Sequence, residues 1–95
     1  MAITNTYKIQ NNQWIIWTDN GNRYFKSYNS IIACVDNDNK ITLNKWEWSY
    51  SATTLKYLKK FILLVTNKYI VTKKEIEDKI KSGEFAVVEN FSLPD

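Results

Sequence analysis

The stretch Lys40–Phe61, KITLNKWEWSYSATTLKYLKKF, contains the point at which the chain changes period. Ile41 and Leu43 alternate with polar neighbours, as on a strand with one buried face. From Ala52 onward the apolar residues recur at helical spacing. Leu55, Leu58, Ile62 and Val65 form one stripe, Tyr57, Phe61 and Leu64 widen it, and Lys56, Lys59 and Lys60 fall opposite. Ser51 stands where a helix needs an N-cap, since its hydroxyl can accept an orphan backbone N–H. The stretch therefore predicts a strand, a bend, and a helix from Ala52 to about Val65.

Upstream, the chain reads as strands. Thr6–Gln10 alternates weakly, and Gln13–Thr18 (QWIIWT) has the β-branched and aromatic composition of a pleated, half-buried surface. Asp19–Asn22 (DNGN) is a turn signal, because Asn and Gly tolerate positive φ. Arg23–Tyr28 returns, Ser30–Val35 (SIIACV) suits a central strand, and Asp36–Asn39 turns the chain into Lys40–Asn44. Trp46–Tyr50 is expected to continue that strand after a bend. Downstream, Thr72-Lys73-Lys74-Glu75 is a capping box opening a helix to about Ser82, with Ile76 and Ile80 inward and Gly83 as its stop. Phe85–Phe91 reads as a final strand or extended arm. The expectation is one α+β domain over residues 1–95, an antiparallel meander of four to five strands with two helices packed on one face.

Composition removes more options than it adds. The 95 residues contain no histidine, which argues against His-based triads, most general-base schemes and His-containing zinc sites. The single Cys34 allows no disulfide framework within the chain and is expected to be reduced and buried. Gly21 and Gly83 are the only glycines, too few for a phosphate-cradling loop. Asp36-Asn37-Asp38-Asn39 resembles the start of a calcium loop, but Lys40 and Ile41 fall where a ligand and the turn glycine belong, so a hairpin turn is the better reading. No metal or cofactor is expected. The N-terminal MAITNTYKIQNN lacks the basic start and apolar core of a signal peptide, and the longest apolar run is Phe61–Val65. A cytoplasmic setting without membrane contact is expected.

The formal charge is +3, and Arg23 is the only arginine among 13 basic residues. Residues 54–81 carry a net +5 and the last twelve residues a net −3. Aromatic residues make up 15% of the chain, more than a core of this size requires, and they suggest a binding surface. Trp14 and Ile16 should share one sheet face, with Ile15 and Trp17 on the other. Tyr24, Lys26 and Tyr28 should share a face, as should Trp46, Trp48 and Tyr50 if that segment is extended. The candidate partner-binding residues are Trp14, Trp17, Tyr24, Lys26, Tyr28, Trp46, Trp48, Lys56, Lys59 and Lys60. With helices on one side only, the other sheet face should be free to stack bases or to anchor a protein.

Three stretches, FKSYNSIIACV (25–35), KITLNKWEWSYSATTLKYLKKF (40–61) and TKKEIEDKIKSGEF (72–85), resemble a family of small uncharacterised phage and prophage proteins. That family shares a SYxSxIA strand, a WDYSxTTxKHxxxFL strand-to-helix junction and a late KKEIEKxIKxGE helix. The spacing of Ser51, Thr53, Thr54, Lys56 and Phe61 is the most specific part of the likeness. The chain departs at Trp48, where a tyrosine-type residue is common, and at Tyr57, where His is frequent. The resemblance implies a short viral or mobile-element accessory protein working in a bacterial host cytoplasm, and it carries no activity.

In such a setting the expected function is non-enzymatic. The chain would bind and block a host protein or ribonucleoprotein target by occlusion, in the manner of anti-defence and anti-CRISPR inhibitors. Exposed Trp and Tyr would bury into the partner, and the first helix's lysines would meet acidic groups or bound RNA. Direct nucleic-acid binding through an aromatic and lysine face is the alternative, and a phage structural or assembly component is a third. Oligomeric state stays open.

Overall fold

A computed structural model describes residues 2–91. Its strands are β1 (Ile3–Gln10), β2 (Gln13–Thr18), β3 (Arg23–Ser27), β4 (Ser30–Val35), β5 (Ile41–Asn44) and β6 (Phe85–Val88). Helices α1 (Ala52–Thr66) and α2 (Lys73–Lys81) lie between β5 and β6. The strands form one sheet in chain order. The first five are joined antiparallel, whereas β6 adds parallel to β5, pairing Ile41 with Phe85 and Leu43 with Val87. Parallel neighbours need a long crossover, and the two helices supply it. The α+β reading therefore holds, with a sixth strand that makes the sheet mixed.

Short turns close the meander with residues at left-handed φ: Asn12 (64°), Gly21 (87°), Tyr28 (55°) and Asn39 (63°). Gly21 has a second constraint, because a Cβ there would lie 2.5 Å from Asn37 Oδ1. The Asp36–Asn39 run is spent on its turn, since Asp36 Oδ1 accepts from the backbone N–H of Asp38 and Lys40, at 2.9 Å each. Arg23, the lone arginine, is committed to the fold as well. Its guanidinium donates to the Val65 carbonyl (3.0 Å), the Asp36 carbonyl (2.7 Å) and Asn39 Oδ1 (2.7 Å). It thus ties the end of α1 to the β4–β5 turn.

Ser51 caps α1 through the Thr54 N–H (3.0 Å), and Thr72 caps α2 through the Glu75 N–H (3.2 Å). Gly83 (φ 83°) follows the end of α2, its N–H donating to the Ile80 carbonyl. The core lies between the helices and one sheet face. Ile15, Phe25, Ala33, Val35, Ile41, Leu43 and Phe85 meet Leu58, Phe61, Ile62, Ile70 and Ile76 there. Phe25 stacks on Phe61 with ring centroids 5.6 Å apart. Among the described residues, no helix is long and apolar enough to cross a membrane.

Two local expectations need correcting. Trp46–Tyr50 is not extended. Asn44 Oδ1 accepts from the N–H groups of Trp46 (2.9 Å) and Glu47 (3.1 Å), and its carbonyl accepts from Glu47 and Trp48, so the backbone curls into turns. The opposite sheet face is not wholly free either. Ile16, Tyr24 and Cys34 form a small buried cluster there, and Phe91 packs on it with its ring edge-on to Tyr24 at 6.3 Å. The C-terminal segment, expected as a final strand or extended arm to Phe91, is strand only to Val88, and beyond it Phe91 reaches this cluster.

Candidate functional site

The sheet's two ends differ. At one end the β1–β2 turn, the β3–β4 turn, the β5–α1 loop and the chain beyond β6 converge. The Tyr28 N–H donates to the Asn12 carbonyl (2.7 Å), and the Lys45 N–H to the Val88 carbonyl (2.8 Å). This end holds the most exposed aromatic residues before α1: Tyr28 (59%), Trp46 (63%) and Tyr50 (82%).

Each is held out by its local backbone. Tyr28 opens a two-residue turn between paired Ser27 and Ser30, at the left-handed φ that an aromatic residue rarely adopts. Trp46 is lifted by the Asn44-centred turn, and Lys45 Nζ sits 4.8 Å from its ring centroid. Tyr50 immediately precedes the α1 cap. The same turn sends Trp48 inward, 8% exposed, among the core residues.

Two adjoining hollows lie between these elements. The outer, about 350 Å³, is lined by Asn29, Ser30, Ile31, Asn44, Trp46, Glu47, Glu89, Asn90 and Phe91. The inner, about 270 Å³, is lined by Ser27, Tyr28, Ser30, Ile32, Glu47, Tyr50 and Thr54. Ser30 and Glu47 belong to both. The Ser30 hydroxyl donates to Glu47 Oε1 at 3.0 Å, pinning the β3–β4 turn to the β5–α1 loop. Beneath, Ser27 Oγ and Thr54 Oγ1 meet at 3.5 Å, and Ser51 Oγ donates to Thr54 Oγ1 at 3.0 Å. The groove is rich in hydroxyls, aromatic rings and carboxylates, a surface for recognition by stacking and hydrogen bonding.

The ten candidate residues divide among four places. Tyr28 and Trp46 line the groove. Trp48 is in the core, Tyr24 is buried under Phe91, and Trp17 is half-buried against the helix-side core, so these three serve packing. Trp14 and Lys26 are paired across β2 and β3 on the opposite sheet face, and Lys8, paired with Trp14 from β1, holds its Nζ 5.9 Å from the indole. Lys56, Lys59 and Lys60 line a separate hollow with Leu63, Tyr69, Ile70 and Val71, where Lys59 Nζ donates to the Val71 carbonyl at 3.0 Å.

Glu47, Tyr50, Ser30 and Phe91 are groove residues that the sequence reading did not select. For Tyr50 the signal was present, in an exposed aromatic just before a cap. For Glu47 and Ser30 it was not, because they are 17 residues apart and only the fold joins them.

Compared with known proteins, the chain finds no match among curated sequences and none among solved structures. A protein-family model does match, over residues 1–78, which spans β1 through most of α2 and takes in every groove residue except those after β6.

Proposed function

The chain belongs to the family which that model describes, a family of unknown function (DUF8033), and we propose that it is a non-enzymatic protein-binding module. It would dock through the groove between the β3–β4 turn and the β5–α1 loop, and block its target by occlusion. The observation that carries the reading is the cluster of Tyr28, Trp46 and Tyr50, exposed around hollows that a partner's side chains can enter. Exposed Trp and Tyr are the residues that most often dominate protein interfaces. The finer reading is an accessory protein of a phage or mobile element, acting on a host protein or ribonucleoprotein in the bacterial cytoplasm, in the anti-defence manner. Its support is the sequence resemblance and the small, histidine-free chain.

The test is affinity capture from a bacterial host lysate with wild type and Trp46→Ala side by side, each with and without nuclease. A stoichiometric protein is expected on the wild type, resistant to nuclease and to a change from about 50 to 200 mM salt, and lost with Trp46→Ala. Capture that nuclease abolishes, or that Trp46→Ala leaves intact, overturns the reading.

Direct nucleic-acid binding is the second reading, favoured by one observation. Trp14 lies between Lys8 and Lys26 across three strands of the sheet face opposite the helices, an arrangement suited to stacking a base beside a phosphate. Against it, the middle of that face is closed by Phe91. An oligonucleotide panel at low salt decides it: retention lost on Trp14→Ala supports this reading, and no retention ends it.

A further inference from the structure

The chain carries a net charge of +3, yet neither hollow at the aromatic end is lined by a lysine or arginine. The carboxylates there are Glu47, shared by both hollows, and Glu89 of the outer one. Glu47 is fixed by the Ser30 hydroxyl at Oε1, and Oε2 has no partner among the described residues. Trp46 borders the same hollow, and its ring already attracts the Lys45 ammonium at 4.8 Å. A positioned carboxylate beside an exposed indole is a receptor for a cation. A planar one fits best, because it can stack on the ring and present a fork of donors to the carboxylate.

Resting on the binding function above, we propose that the outer hollow receives an arginine side chain of the partner protein. The guanidinium pairs with Glu47 and Glu89 and stacks on Trp46. About 350 Å³ is room for such a side chain with part of its backbone. A lysine would meet the same charge but not the stacking or the bidentate geometry, so arginine is the specific occupant.

The test uses three short capped peptides, Gly-Arg-Gly, Gly-Lys-Gly and Gly-citrulline-Gly, titrated into the isotope-labelled protein. The Trp46 indole N–H and the Asn29 and Asn90 side-chain amides are followed by NMR. Saturable shifts at these groups are expected with the arginine peptide, weaker by about tenfold with lysine and absent with citrulline, which keeps the shape without the charge. Glu47→Gln keeps an acceptor for Ser30 and should weaken the arginine peptide by about tenfold at unchanged thermal midpoint. Glu89→Gln, on the chain beyond β6, is a second variant whose loss of binding needs no change in the loop. Equal binding of citrulline, shifts confined to the Lys56–Lys60 surface, or no saturable shift at millimolar peptide overturns the proposal. If Trp46→Ala still abolishes partner capture in that event, the binding function stands and only its arginine chemistry falls.

Discussion

Tyr28 is held at a φ of 55°, where an L-residue with a Cβ loses roughly 1–2 kcal/mol relative to ordinary backbone. The strain is tolerated because the turn is fixed on both sides, by the Ser27–Ser30 pair and the bond from the Tyr28 N–H to Asn12. Glycine would relieve it. Tyr28→Gly should raise the free energy of unfolding in urea by about 1 kcal/mol while weakening partner capture. A glycine variant that captures the partner as well as wild type would mean the ring does not contribute to binding. Cys34 makes a different point. Burial pushes its thiol up to about 11 from an ordinary value near 9, and burial raises the neighbouring Tyr24 phenol too. Between those values the unfolded chain has lost a proton that the folded chain keeps, so stability falls as pH rises through that window. Urea midpoints should therefore decline between about pH 9 and 11, and Cys34→Ala should flatten part of the decline. The same burial predicts slow thiol alkylation at pH 8 in buffer and rapid alkylation in denaturant.

At the scale of elements, the junction at Ser51 decides the fold and also shapes the groove floor. Its hydroxyl accepts from the Thr54 N–H and donates to the Thr54 hydroxyl, which in turn lies 3.5 Å from Ser27 on β3. Ser51→Ala removes the cap and should cost about 1 kcal/mol in urea unfolding, whereas Ser51→Asp, which keeps an acceptor, should recover most of it. Equal loss in both variants would place the cost in the hydroxyl contact with Thr54 instead. Much of this was legible in the residues: both caps, the Gly83 stop, the turns and most of the helix stripes are local chemistry, although Leu64, expected to widen the α1 stripe, is 52% exposed. The course of Trp46–Tyr50 was not, although alternation made it look like a strand. The Asn44 side chain competes for the N–H groups that a ladder would use, the kind of local bond that overrides an apolar pattern. The Ser51, Thr54 and Phe61 spacing, singled out in the sequence, is largely scaffold, since Ser51 caps, Thr54 is buried and Phe61 stacks on Phe25 in the core.

On the scale of the whole molecule, long-range pairing governs what local pattern could not reveal. The parallel docking of β6, the closure of one face by Phe91 and the meeting of Ser30 with Glu47 each join segments far apart in sequence. The same fold separates the α1 lysines from the aromatic end: they line their own hollow, while the groove is lined by carboxylates, with Lys45 beside Trp46 as a cation near it. Net charge and contact chemistry can therefore be tested apart. Lys56→Glu with Lys60→Glu lowers the charge by four, from +3 to −1, and spares Lys59, which braces Val71. If binding rests on the groove, the double variant should capture the partner with affinity within about threefold of wild type, because screened charges outside the contact act mainly on the association rate. Adventitious retention of nucleic acid on the purified protein should fall in the same variant. The readouts are affinity by calorimetry and the ultraviolet absorbance ratio of the eluate. A collapse of partner affinity with an unchanged groove spectrum would move the binding surface from the aromatic end to the lysine face of α1.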